Sequence, residues 1–186
     1  MLLLSLSTGC RLLLRARYSP PPAIGLSYPG SEFRACGANE KTGGCMKYIC
    51  DAPNGQTWFR IETEAEAVTE SDLMRHAVEK FFRKEQEKAA QTYQPISKVF
   101  FEQEIGLKAH IQREMPIFLT LRDDEGNPLV TAMLPPGGQD DRSFRPIIVG
   151  TANADPYVQH ADAIRALGQH FGLTLERGRC YPYRRD

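Results

Sequence analysis

Glu102, Glu104, His110 and Glu114 fall close together in the chain, and Asp140-Asp141 follow in a polar loop. Carboxylates with an imidazole are a ligand set for a catalytic divalent metal, which activates water for attack on an ester or phosphate. A bend near Gly106 would let Glu102, Glu104 and His110 converge with Asp140 and Asp141. The reading is a metal-dependent nuclease or nucleotide hydrolase, of the ATPase or DNase type, with a divalent metal and ATP as its cofactors.

A second cluster closes the sequence. Arg177, Arg179, Arg184 and Arg185 alternate with Tyr181 and Tyr183. Cations neutralise phosphates and aromatic rings stack on bases, so this tail is a candidate nucleic-acid contact. The plainer reading is a tail that solubilises the C-terminal end. The turn Asp123-Asp124-Glu125-Gly126-Asn127 resembles half of a calcium loop but lacks the ligand spacing and the closing glutamate. His76, His110, His160 and His170 form no HxH or HExxH pair, and on a helix His160 and His170 do not share a face. Cys45 and Cys50 have the spacing of half a zinc knuckle, but no second close cysteine pair accompanies them. No P-loop and no dinucleotide fingerprint occur.

The elements that must position these residues begin at Met46. Lys47–Cys50 and Thr57–Glu62 are rich in strand formers and flank Pro53-Asn54-Gly55, so residues 47–51 and 56–62 pair as a hairpin. Alternation places Trp58 with Arg60 and Glu62 on one face, and Thr57, Phe59 and Ile61 on the other. Thr69 is placed to cap a helix over 70–92, with Asp72 at its third position and Val68 and Leu73 as a hydrophobic staple. Leu73, Met74, Ala77, Val78, Phe81 and Phe82 recur at helical spacing opposite Arg75, Glu79, Arg83 and Glu87.

Residues 97–113 read two ways: Phe100, Leu107 and Ile111 could share a helical stripe, but the favoured reading is an irregular or helical turn to about Glu104 and then a strand, on the alternation of Ile105, Leu107, Ala109 and Ile111. Gly106 argues against a helix there, at a cost of roughly 1 kcal/mol. Ile117–Leu121 and Leu129–Leu134 flank a Gly-Asn turn and read as a second hairpin. Pro146–Gly150 is a short buried strand. Asp155-Pro156 then opens a helix over 156–171, which Gly172 closes, and Leu173–Glu176 adds an edge strand. The order is that of an α+β fold: a mixed, mainly antiparallel sheet with two packed helices, about 70–92 and 156–171.

Composition narrows the functional classes. The chain has 186 residues, 41% hydrophobic and 25% charged, with formal net charge zero. No overall field steers it to DNA or membrane. Residues 1–45 hold five basic and two acidic side chains, which leaves residues 46–186 at −3. This first segment is rich in Leu, Pro, Gly and Ser, and reads as a flexible leader or tail, or as residues upstream of the biological start. Its leucines and arginines also fit an organelle or export signal, although Leu2–Leu4 is too short to span a bilayer. Residues 46–186 then form a single domain. Five cysteines, an odd number, argue against a secreted disulfide framework and for a reducing compartment.

Gly43-Gly44-Cys45-Met46-Lys47 resembles the glycine-glycine-cysteine-x-basic loop of sulfiredoxin, whose superfamily includes the ParB branch with its Gly-x-x-Arg loop. Here the arginine is replaced, the nearest match being Gly44-x-x-Lys47, and the loop leads into a strand rather than a helix. With the size and element order, the chain is similar to the fertility-inhibition and oncogenicity-suppression proteins of conjugative plasmids in that superfamily. The resemblance implies a small α+β protein that contacts nucleotides or DNA. The expected role is a cytoplasmic, plasmid-borne bacterial regulator that inhibits conjugative or T-DNA transfer. Its partners would be DNA or components of the transfer apparatus, with peripheral association at the inner membrane. The alternatives are the hydrolase above and a protein-interaction module without catalysis, built on the 70–92 helix.

Overall fold

The computed structural model describes residues 46–141 and 143–183, all of them within one compact unit. The readings of residues 1–45, including Gly43, Gly44 and Cys45, and of Arg184 and Arg185 fall outside them. The element order is β1 (Lys47–Asp51), β2 (Thr57–Ile61), α1 (Glu64–Met74), α2 (Val78–Gln91), α3 (Phe100–Glu114), β3 (Ile117–Arg122), β4 (Pro128–Leu134), β5 (Ile147–Gly150) and α4 (Tyr157–Phe171).

The five strands form one antiparallel sheet in sequence order. The α+β class stands, and both expected hairpins are present. Asn54 and Gly55 turn the first with φ of 63° and 72°, a conformation that Asn and Gly tolerate best. Register alternates the side chains as the sequence requires. Trp58, Leu119, Leu121, Val130, Ala132 and Ile148 face α4, where Ala163, Ile164 and Leu167 complete the larger core. The Trp58 indole donates to the Ala163 carbonyl at 3.0 Å and so ties β2 to α4. Ile61 and Phe118 point to the other face, against Ala67 of α1 and Val78, Phe82 and Ala89 of α2.

Among the described residues, four helices replace the expected two. The 70–92 helix begins earlier and is broken. Thr63, not Thr69, is the cap: its side chain accepts from the Glu66 N–H while the Glu66 carboxylate accepts from the Thr63 N–H, a complete capping box. Thr69 lies inside α1 and its hydroxyl donates back to the Ala65 carbonyl. α1 ends at Arg75, in the left-handed region at φ 55° and ψ 46°, and the Arg75 and His76 N–H groups both converge on the Ser71 carbonyl. Ser71 then serves the next helix, since its hydroxyl accepts from the Glu79 N–H at 3.0 Å and donates to the Glu79 carboxylate.

The strand expected after Gly106 is instead the middle of α3. A Cβ at Gly106 would fall 2.3 Å from the Tyr93 hydroxyl, so the glycine makes room for that ring against α3. Helix α4 matches its expected span, with Gly172 left-handed at φ 68° beyond its end. Leu173–Glu176 forms no strand. The chain continues as a single 3-10 turn at Arg177–Arg179, and Tyr181 makes one parallel bridge to Ile147 at the edge of β5.

Two substitutions test this packing. At Gly168 in α4 a Cβ would lie 2.7 Å from the Leu173 carbonyl oxygen, a backbone atom that cannot step aside alone. Gly168→Ala is expected to lower unfolding free energy by about 1–3 kcal/mol in urea titrations. Arg75→Gly is expected to raise it by about 1 kcal/mol, because glycine carries no left-handed penalty. In an unbroken helix the same change would lower it by roughly the same amount, so the sign decides.

Candidate functional site

The expected catalytic set does not assemble. Glu102 accepts a hydrogen bond from the Ser97 hydroxyl at 2.5 Å just before α3. Glu104 lines a cleft of about 350 Å³ between α2, α3 and β2, beside Lys108 and Arg60. The His110 ring bonds Thr92 at 2.9 Å and Arg113 at 3.1 Å, and packs on Tyr93. Glu114 pairs with Arg113 at 2.9 Å. Asp140 approaches Arg179 at 3.9 Å. Asp141 accepts from the Ser143 N–H and hydroxyl, which hold its carboxyl below the usual range. No group of three or more His, Cys, Asp or Glu side chains among the described residues is placed to hold a metal ion. The bend that would gather these residues is absent because Phe100–Glu114 is one helix.

The basic-aromatic tail is built into the fold. Tyr183 is buried in the larger core and its hydroxyl donates to the Ile148 carbonyl at 3.1 Å. Its ring meets Tyr157 edge-on and lies 4.8 Å beneath the Arg177 guanidinium, which also pairs with Asp155 at 2.7 Å. Arg145 donates to the carbonyls of Cys180 and Tyr183 and clamps the segment. Tyr183 is therefore a core residue, not a stacking platform, while Tyr181 and Arg179 keep exposed side chains. The acidic turn satisfies itself as well: Asp123 accepts from the Asn127 side chain and from the Glu125 and Asn127 N–H groups, which lowers its pKa. Cys50 is half-buried in β1, where burial pushes its thiol up. Its expected partner, Cys45, lies outside the described residues. His160 sits in α4 with a buried Nδ1 that has no hydrogen-bond partner, and burial lowers its pKa.

A different polar cluster lies on the sheet face under α1. Glu70 is completely buried, and its carboxylate meets the Arg122 guanidinium of β3 at 2.7 Å. Arg122 also donates to the Gly126 carbonyl at 2.8 Å, which ties the pair to the β3–β4 turn. The second Glu70 oxygen accepts from the Thr131 hydroxyl of β4 at 2.8 Å. The Thr131 oxygen in turn lies 2.9 Å from Nε2 of His76. With the Thr131 proton directed to the Glu70 carboxylate, the Thr131 oxygen is free to accept from the imidazole. Burial pushes the Glu70 carboxyl above its usual range, against the pull of Thr120, Arg122 and Thr131. The Thr120 hydroxyl faces the same carboxylate yet completes no hydrogen bond. His76 is held below the usual imidazole value, again by burial.

The line Arg122–Glu70–Thr131–His76 ends at a cleft of about 370 Å³. The α1–α2 junction, the strands β4 and β5, a 3-10 turn at Thr151–Asn153 and Tyr181 surround it. Besides Arg75, Ala152 and Asn153 are left-handed, at φ 54° and 62°. These conformations are uncommon for residues other than glycine, and such strain clusters at functional sites. None of this cleft was marked by sequence spacing. The one available signal was the Thr-x-x-Glu pattern, Thr63 to Glu66, which places the start of α1 and turns Glu70 inward.

No family model, curated protein or solved structure gives a significant match to this chain. No helix among the described residues is long and apolar enough to cross a membrane.

Removing the guanidinium isolates a buried carboxylate. Arg122→Met is expected to cost about 3–5 kcal/mol at pH 7.5. A carboxyl whose folded pKa lies above its unfolded value takes up a proton on folding. Its contribution is complete below the unfolded value and is lost as pH rises through the folded one. The penalty in Arg122→Met should therefore shrink as pH falls toward 5, as read by urea unfolding at both pH values.

Proposed function

We propose that this domain is a small regulatory protein that works by binding another protein, with the N-terminal half of α3 as the contact. One observation carries the reading. Ile96, Val99, Phe100, Phe101 and Ile105 are all more than half exposed, with Phe100 at 73% and Phe101 at 69%. Large apolar side chains exposed singly are ordinary, but five within ten positions form a patch of the kind that marks protein contacts. Two adjacent phenylalanines supply large apolar area with few torsions to freeze on binding. The contact element expected from sequence was the 70–92 helix, and the exposure now favours its neighbour α3.

Interference with DNA transfer, the role expected from the family resemblance, would run through this contact to a component of the transfer apparatus. The tail supports direct DNA binding less well, because Tyr183 and Arg177 are engaged within the fold. The hydrolase reading draws no support from the separated positions of Glu102, Glu104, His110, Asp140 and Asp141.

A photo-crosslinking residue in place of Phe101, expressed in a bacterial donor strain, is expected to capture a partner, whereas the same residue in place of Lys84 captures none. The double variant Phe100→Ser/Phe101→Ser should weaken that complex by about 2 kcal/mol or more, roughly thirtyfold, with thermal unfolding unchanged. In conjugation assays the chain should depress transfer and the double variant should restore it. Transfer unaffected by the wild-type chain would remove the DNA-transfer role, and equal crosslinking at both positions would remove α3 as the contact.

A further inference from the structure

The cleft over His76 has no part in the α3 contact, and its chemistry is distinct. Its volume of about 370 Å³ is at the lower end of small-molecule sites. The walls are apolar, among them Val78, Phe81, Met133, Ile147 and Val149, and the polar groups are His76, Thr131, Asn153 and Tyr181. Among the described residues, no Lys, Arg, Asp or Glu lines it. An ionised ligand entering there would lose its hydration and gain no opposite charge, which is costly. An apolar ligand with one hydrogen-bonding group loses little and finds partners for that group.

The polar end is held in place from beneath. His76 cannot turn freely, because Thr131 bonds its Nε2 at 2.9 Å and Glu70 bonds Thr131 at 2.8 Å. Glu70 is fixed by Arg122 at 2.7 Å. The ring thus has one anchored nitrogen before any ligand arrives. A group held in advance loses less freedom on binding. The strained backbone at Arg75 sets the entry of α2 beside it, and the left-handed pair Ala152-Asn153 forms the facing rim.

We propose that this cleft is a binding site for a small, uncharged, mainly apolar molecule that carries one hydrogen-bonding head, such as a phenol, alcohol or amide, with His76 as the residue that reads the head. Any signal the protein answers through this site would be a neutral, membrane-permeant compound rather than a nucleotide or a metal.

The test uses the full chain with methyl-labelled Ala, Met and Val, titrated with para-butylphenol and with its charged counterpart para-butylbenzoate. The phenol is expected to shift the methyl signals of Ala77, Met133 and Val149, and to bind at least about tenfold more tightly than the benzoate. His76→Phe keeps the volume apolar and should weaken the phenol roughly fivefold. Ala77→Trp should fill the cleft and abolish the shifts. If Ala77→Trp does not fold, His76→Phe, checked by its thermal unfolding, decides alone. Unmoved cleft methyls, benzoate binding as tight as phenol, shifts centred instead on Ala109 and Met115 near the second cleft, or undiminished affinity in folded His76→Phe would each overturn the assignment.

Discussion

The buried pair of Glu70 and Arg122 is the constraint from which one side of this molecule follows. It joins a helix to a strand 52 residues later. A carboxylate with no exposed surface is tolerable only when paired, so α1 must lie where Arg122 can reach it. With α1 docked in that position, a helix continuing straight past Met74 would give up the His76 N–H bond to the Ser71 carbonyl and the Ser71 side-chain bonds to Glu79 that open α2. The left-handed Arg75 resolves this by turning the chain, and the turn delivers His76 to the sheet. The broken helix, the anchored imidazole and the cleft are successive results of placing one charge.

The opposite face depends on different forces. There α4 packs through Ala163, Ile164 and Leu167 onto alternating strand positions, and the indole of Trp58 fixes the docking with one buried hydrogen bond. That face is apolar and needs no charge to set its geometry. The polar cluster and the left-handed residues Arg75, Ala152 and Asn153 lie with the α1–α2 face or the turn beside it. Buried charge and left-handed backbone are thus concentrated on one face of the sheet, and apolar packing on the other.

Sequence pattern reached the elements whose causes are local. Asn54-Gly55, the Gly-Asn turn and Gly172 demand backbone states that few other residues accept, and each marked its turn or helix end where the structure has it. The α+β class and antiparallel pairing followed from those turns. The break at Arg75 was invisible, because an arginine amid helical spacing gives no sign that a partner in β3 is pulling the preceding turn. Gly106 misled for a related reason: it reads as a helix breaker until Tyr93 is seen occupying the space a side chain would take. The acidic set at 102–114 had suitable chemistry on one helix, but its members found separate partners. The cleft was out of reach, since residues 76, 131, 153 and 181 meet only through the sheet.

The strap at the end of the described chain bears on how this sheet can grow. Tyr181 donates to the Pro146 carbonyl at 2.7 Å and accepts from the Ile148 N–H at 3.3 Å, so it consumes hydrogen-bonding groups on the outer side of β5. An open strand edge is a template for another chain. With β5 occupied, strand addition is directed to the other end, where β1 has no outer neighbour among the described residues. That strand carries a bulge between Tyr48 and Cys50 and a charge at each end, Lys47 and Asp51, features that discourage indiscriminate pairing. The sheet is thus polar in an assembly sense, with one sealed margin and one guarded margin, and two copies could not stack edge to edge into a continuing fibre without first peeling the strap away.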